Sequence, residues 1–337
     1  MLDRKQGLIV ISSLGAVGLL LLVVEIAGVD RVLRAVLAAD RSLVVLVFLI
    51  GLGWLLAWST MLRSVLATLD VELTRGRSFL LFSGAVFAHN VTPFGQAGGE
   101  PVPAMIISRA SDTPYETGLA GIASVDLLNV IPSLSLDRGW CQLLRATASL
   151  GTRVELAVVT AFGLVGGAGI VLIGLWRGRY RVQERLPRLL ARGGGRLGLE
   201  SPESIERGLT NRLIRLIGNL ERVASNRRHL VSSLTFSLLG WLLQAVALSL
   251  AFAAVGHTVS PHLFIFVIPL AYVAGVAPLP GGLGGIEAAL VALLVPTTGL
   301  AVSAITAAVL IFRGAIFWMP IALGSLVVWS YGIRSVW

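Results

Sequence analysis

The sequence predicts an all-α integral membrane protein, with about six full transmembrane helices plus two re-entrant helical hairpins in an inverted repeat. One membrane domain over residues 1–337 holds them all. Three observations lead there. Apolar residues make up 55% of the chain and charged residues only 13%, with a mean hydropathy of +0.85, so it lacks the charged exterior a soluble core needs. Its apolar runs exceed the roughly 20 residues that cross a bilayer, and they are continuous rather than alternating, which means helices and not barrel strands. Finally, Pro93-Phe94-Gly95-Gln96-Ala97-Gly98-Gly99-Glu100 and Pro280-Gly281-Gly282-Leu283-Gly284-Gly285-Ile286-Glu287 both read P-x-G-x-x-G-x-E, 187 residues apart. Gly- and Pro-broken apolar segments at corresponding places in two halves mark an inverted repeat with its binding site at the breaks.

The elements follow in order. Residues 8–29 form a first span, retained because no small-residue cleavage site follows it. Residues 30–41 make a charged, amphipathic connection to a second span at 42–62. The stretch 78–110 holds the first motif near its middle. A run of this length is too long for one straight helix across about 30 Å and short for two spans with a loop, so a hairpin of two half-helices is expected. Spans at 115–136 and 154–176 come next, then a loop over 177–228. Within it, Ser201-Pro202-Glu203 reads as a cap, a first-turn Pro and a first-turn acid. Ile205, Leu209, Leu213, Leu216, Leu220 and Val223 then recur at helical spacing, an amphipathic helix expected at the membrane surface. A span at 230–255, the second hairpin at 262–297 and a last span at 300–330 complete the chain. The first inverted half is 42–136 and the second 230–330.

Charge sets the orientation. Residues 177–228 carry 13 Arg and 5 Glu, +8 of the chain's +9, and the positive-inside rule places this loop in the cytoplasm. Counting spans from there, the first hairpin opens to the cytoplasm beside Arg75, Arg77 and Arg109, and the second opens to the outside. Arg138, Arg145 and Arg153 run against this assignment, since all three fall outside. The same loop is expected to meet anionic lipid. Nucleic acid is not an expected partner, because the basic residues flank spans and have no aromatic partners. Cys141 is the single cysteine, and no two of the four histidines are spaced i, i+4, so no metal site and no cofactor is expected.

The polar residues inside apolar sequence are the candidates for chemistry. Gly98, Gly99, Gly284 and Gly285 precede the second half-helix of each hairpin, where free N–H groups and the helix dipole favour an anion such as phosphate. Glu100 and Glu287 sit at the same ends, either as plain caps or as groups that bind a cationic head group or carry a proton. Asp126 and Arg313 lie midway along spans, and each falls 26 residues after its motif glutamate (126 against 100, 313 against 287). A charge at mid-membrane costs at least about 2.5–3.5 kcal/mol, so each needs a partner, either in a salt bridge between the halves or along a polar path. Asn90, Gln96, Asn129 and Gln244 are candidates to line such a path; His89 reads more simply as a packing residue.

Residues 278–288, Pro-Leu-Pro-Gly-Gly-Leu-Gly-Gly-Ile-Glu-Ala, followed by Thr298-Gly299-Leu300 and then Arg313, resemble the late signature of the lysylphosphatidylglycerol synthase transmembrane region, a flippase-like membrane family. Thr92 to Glu100 looks like its first signature. Two departures stand out: Ile286 stands where relatives usually have a basic residue, and Asp126 lies where many have an additional charged pair. In the bifunctional relatives, this module moves an aminoacylated phospholipid between leaflets and a separate soluble domain makes that lipid. No such domain is expected in these residues, so the resemblance implies the transport half only. The expectation is a multi-pass protein of the cell (cytoplasmic) membrane, not an enzyme. It moves a phospholipid or lipid-linked head group between leaflets without ATP hydrolysis, there being no Walker A motif. The alternatives are a scaffold or partner subunit for a separate lipid-modifying enzyme and, less readily, an intramembrane enzyme. Homo-oligomerisation is left open.

Overall fold

A computed structural model of the chain describes residues 4–92, 101–134, 202–276 and 279–330, together with Gly174, Arg177, Gly178 and Tyr180. The described residues form helices and no strands. Four helices are long and apolar enough to cross a bilayer: Arg41–Ala67, Arg227–Ala254, Pro280–Thr298 and Val302–Trp329. The pair Ser12–Ala27 and Val29–Leu37 makes a fifth if its two limbs, bent by 88°, count as one span. Six full spans were expected. The expected span at 154–176 lies almost wholly outside the described residues.

Helices α1 (Arg4–Ala27) and α2 (Val29–Leu37) meet at Gly28, whose φ of +88° makes the corner. The expected connection at 30–41 is thus largely helical. Its Val32 is buried with Ala27 and Ala307, which is why the segment folds back on the protein. Helix α3 (Arg41–Ala67) starts at Asp40, whose carboxylate accepts from the amides of Ser42 (2.8 Å) and Leu43 (3.2 Å). Helix α4 (Arg75–Val91) starts in the same way at Thr74. Helices α5 (Pro101–Ser111) and α6 (Tyr115–Leu134) follow, and α5 packs against both α4 and α6.

The helix foreseen after Ser201 is α7 (Pro202–Ser225). Its apolar stripe is used on protein: Ile217 and Val223 are buried, and the helix packs on α6. Its arginines bind acids of the first half. Arg215 lies 3.0 Å and Arg212 3.8 Å from Glu116, and Arg222 lies 3.0 Å from Asp70.

Helix α8 (Arg227–Ala254) lies along α3 for much of its length. The contact is close because a Cβ at Gly240 would stand 1.9 Å from Trp58 Nε1, so only glycine leaves room for the indole. Then come α9 (Pro261–Val273), a 3₁₀ turn at Ala274–Val276, a second at Pro280–Gly282, and α10 (Gly285–Thr298), which packs back on α9. The described residues end in α11 (Val302–Arg313), a π-helical turn at Gly314–Trp318 and α12 (Met319–Ser330), with α12 packed on α4. One large apolar core joins α3, α4, α6, α8, α9, α10 and α11.

Candidate functional site

The second motif folds into a compact break between α9 and α10. Gly281, Gly282 and Gly284 hold φ of +55°, +65° and +81°, the left-handed region that a side chain disfavours. Amide-to-carbonyl bonds of 3.0 Å from Gly282 to Leu279 and from Leu283 to Pro280 close the turn. The backbone requirement therefore falls on these three glycines. Gly285 is the first residue of α10 and is constrained differently: a Cβ there would lie 3.2 Å from the Ala274 carbonyl oxygen.

Glu287 stands in the first turn of α10. Its Oε2 accepts from the Gly284 amide at 2.7 Å, so the carboxylate caps its own helix. One of the free N–H groups that suggested an anion site at this helix start, that of Gly284, is thereby taken by the protein's own anion. The other oxygen, Oε1, accepts from Arg313 Nε at 2.6 Å. Glu287 is 1% exposed and Arg313 2%. Two charges so deeply buried persist because each neutralises the other; removing one partner from such a pair costs about 3–5 kcal/mol. The guanidinium also lies 4.4 Å from the centre of the Phe317 ring, a cation–π contact. The π-helical turn after Arg313 carries Phe317, and single π-helical turns inside α-helices often mark functional positions.

Arg313 lines a cavity of about 90 Å³. Its polar wall includes Asp126 and Asn129 from α6, His89 and Asn90 from α4 and Tyr272 from α9. Its aromatic wall includes Trp54 and Trp58 of α3, Phe82 of α4 and Phe317. Trp54 and Trp58 meet edge to face at 5.2 Å, Trp58 meets Trp241 at 5.7 Å, and Trp241 meets Tyr272 at 5.9 Å. Behind this wall the Tyr272 hydroxyl donates to Gln244 (3.1 Å), Trp241 Nε1 donates to the Asn129 carbonyl (3.0 Å), and Ser237 donates to the Asn129 side chain (2.7 Å). Among the described residues, Trp54 Nε1 and His89 Nε2 are buried with no hydrogen-bond partner, and both belong to side chains that line this cavity. Unsatisfied buried groups around a small cavity make it a place that favours polar atoms.

The end of α4 touches the second motif directly. A Cβ at Gly281 would fall 2.9 Å from Asn90 Oδ1 and 2.4 Å from Phe317, so the turn is pressed against the residues that lead into the first motif. Of the residues singled out in the sequence, Asn90, Asp126 and Arg313 share one cavity, and Glu287 joins them through Arg313. Gly284 and Gly285 shape the break that holds Glu287. Gln96, Gly98, Gly99 and Glu100 lie outside the described residues. The aromatic wall was not foreseen. Its signal was there in the i, i+4 pairs Trp54/Trp58 and Arg313/Phe317, which put each pair on one helix face.

The family model for the lysylphosphatidylglycerol synthase TM region matches residues 8–324. The chain belongs to that family. Its curated relatives include UPF0104 membrane proteins. One from Methanothermobacter thermautotrophicus is 26% identical over 331 residues, covering 96% of this chain and 93% of the relative. A second from the same organism is 24% identical, covering 98% and 97%. One from Pyrococcus horikoshii is 24% identical, covering 96% of each chain. With its apolar helices, this membership makes the protein an integral, multi-pass membrane protein.

Proposed function

We propose that this protein moves a phospholipid or a lipid-linked head group between the leaflets of the cell membrane without hydrolysing ATP. The observation that carries the reading is the buried Glu287–Arg313 pair at a broken helix, beside a cavity that also holds Asp126. A buried ion pair at the unwound middle of an apolar hairpin is costly as plain architecture and fits a site for a charged substrate at mid-membrane.

The length of α9 supports the hairpin reading. It has 13 residues, roughly 20 Å, which falls short of a hydrocarbon layer of about 30 Å, whereas α10 with the turn before it, Pro280–Thr298, reaches 19 residues. Helices α4 and α5 form the matching pair around the first motif. In this reading α3 to α6 and α8 to α12 are two inverted halves, with the arginine-rich end of α7 in the cytoplasm.

The chemistry follows from the groups present. Glu287 holds Arg313 Nε, and one terminal nitrogen donates to the Gly281 carbonyl at 3.5 Å, so a lipid phosphate takes the guanidinium by displacing this long contact. Asp126, on the facing wall, receives a cationic portion of the head group or a proton. A volume of about 90 Å³ is worth a few waters, so this is a closed state, and a head group enters only when the hairpins part. The test is reconstitution of the purified protein into vesicles with fluorescent phospholipid, followed by quenching from outside. Arg313→Gln and Asp126→Asn are expected to slow equilibration between leaflets. A scaffold requires no movement in wild type, and an enzyme converts the lipid, which mass spectrometry of the same vesicles reads.

A further inference from the structure

A second basic site lies away from the central cavity. At the arginine-rich end, α3, the loop before α4 and the start of α8 border a groove of about 1100 Å³. Arg63, Arg75 and Arg228 line it, with Glu72 as its one acid. Arg63 is half-buried and tethered, since its Nε donates to the Leu73 carbonyl at 2.7 Å. Its two terminal nitrogens have no hydrogen-bond partner among the described residues, and neither Arg75 nor Arg228 is in an ion pair there. The α7 arginines at the same end contrast with this, because Arg212, Arg215 and Arg222 each lie beside an acid. A fixed guanidinium fork with nothing to bind is a ready partner for a phosphate or carboxylate. Beside it His229 Nδ1 and the Ser64 hydroxyl hold each other at 3.2 Å. The groove runs on to apolar Leu56, which is 52% exposed, and to Phe236.

The groove is not a mouth of the central cavity. Its α3 residues 56, 60, 63 and 67 recur at helical spacing, whereas Trp54 and Trp58 on the cavity wall are offset by two residues, roughly 200° around the helix.

We infer that this groove binds an anionic phospholipid of the surrounding leaflet, its phosphate on Arg63, Arg75 and Arg228 and its acyl chains along Leu56 and Phe236. The inference does not depend on lipid transport. It is tested on the detergent-purified full chain by native mass spectrometry with dioctanoyl phosphatidylglycerol, dioctanoyl phosphatidylcholine and inorganic phosphate as probes. Wild type is expected to keep phosphatidylglycerol in preference to phosphatidylcholine. Arginine near an anionic lipid contributes roughly fivefold each, so the triple variant Arg63→Gln/Arg75→Gln/Arg228→Gln should weaken phosphatidylglycerol on the order of a hundredfold. The variant Arg212→Gln/Arg215→Gln/Arg222→Gln removes the same charge elsewhere and should change binding only a few-fold. Should the first triple variant fail to fold, Arg228→Gln alone, at an exposed position, is expected to lose about fivefold. Undiminished binding by the groove variants overturns the inference. Equal loss in both triple variants reduces it to diffuse surface charge and also overturns it. Displacement of the lipid by phosphate at equal concentration makes the groove a free-anion site and not a lipid site.

Discussion

Neutralising Arg313 is the perturbation that separates architecture from function. In Arg313→Gln, the Glu287 carboxylate keeps its bond to the Gly284 amide but loses its 2.6 Å partner, in a site where both residues are at most 2% exposed. A single break of this kind costs about 3–5 kcal/mol, because the remaining charge stays buried and uncompensated. Glu287→Gln should cost about the same and add the loss of a charged helix cap, about 1 kcal/mol. The double variant Glu287→Gln/Arg313→Gln buries no charge, and two amides can hydrogen-bond to each other. It should therefore recover most of the loss, which requires a coupling in the cycle larger than the cost of either single break, about 5 kcal/mol or more. Unfolding in mixed micelles measures the four proteins. Leaflet equilibration of fluorescent lipid in vesicles measures their activity. The expected pattern is stability restored and transport still absent in the double variant. Additive stability losses would refute the energetic reasoning. Transport regained by the neutral pair would leave the ion pair a purely structural device.

Other outcomes follow from the same geometry. Gly284→Val places a Cβ 2.8 Å from the Ala16 carbonyl at a φ of +81°, whereas Gly285→Ala meets only a 3.2 Å contact. The first should unfold at markedly lower temperature, and the second should cost on the order of 1 kcal/mol. Asp126→Asn should leave the fold intact and selectively slow lipids with a cationic head group, read as the ratio of phosphatidylethanolamine to phosphatidylglycerol equilibration. Single cysteines at Ser225 and Thr258, in a Cys141→Ser background, flank α8 and should react with impermeant reagent from opposite faces; labelling from one face alone would refute α8 as a span. Glu116→Gln removes a buried carboxylate that pairs with both Arg212 and Arg215, whose own side chains are more than half exposed, so its cost should be about 1–2 kcal/mol in the same unfolding assay.

Much of the helical plan is legible because membrane helices are written in long apolar runs and local caps. Asp40, Thr74 and Asn226 each accept from an amide two or three residues on, and each sits where its helix begins. The 88° bend at Gly28 and the π-helical turn at Gly314–Trp318 are not legible in the same way. Both depend on what lies across from them: Val32 finds Ala307, and Phe317 fits over Gly281, more than 30 residues away in sequence. The fate of the arginine-rich helix was half legible. Its amphipathic period predicts a buried stripe, but only the fold decides that α6, with Glu116 and Thr117, covers part of it.

The site was more legible than the fold around it, because charge inside apolar sequence has few ways to survive. The shared offset of 26 residues is the telling detail. In the second half it joins Glu287 to Arg313, an acid with a base, and they bond. In the first half the same offset joins Glu100 to Asp126, two acids, which cannot form an ion pair with each other. The repeat is thus kept in its glycines and broken in its charge. Asp126 instead lines the cavity that Arg313 also lines, while Glu287 bonds that guanidinium directly. A strictly symmetric pair of hairpins would hold two closed salt bridges and offer a substrate nothing. With an acid in place of the second base, Arg313 bonds Glu287 and lines one cavity with Asp126. Under the proposed transport, a phosphate with an attached cation would take Arg313 with the phosphate and Asp126 with the cation.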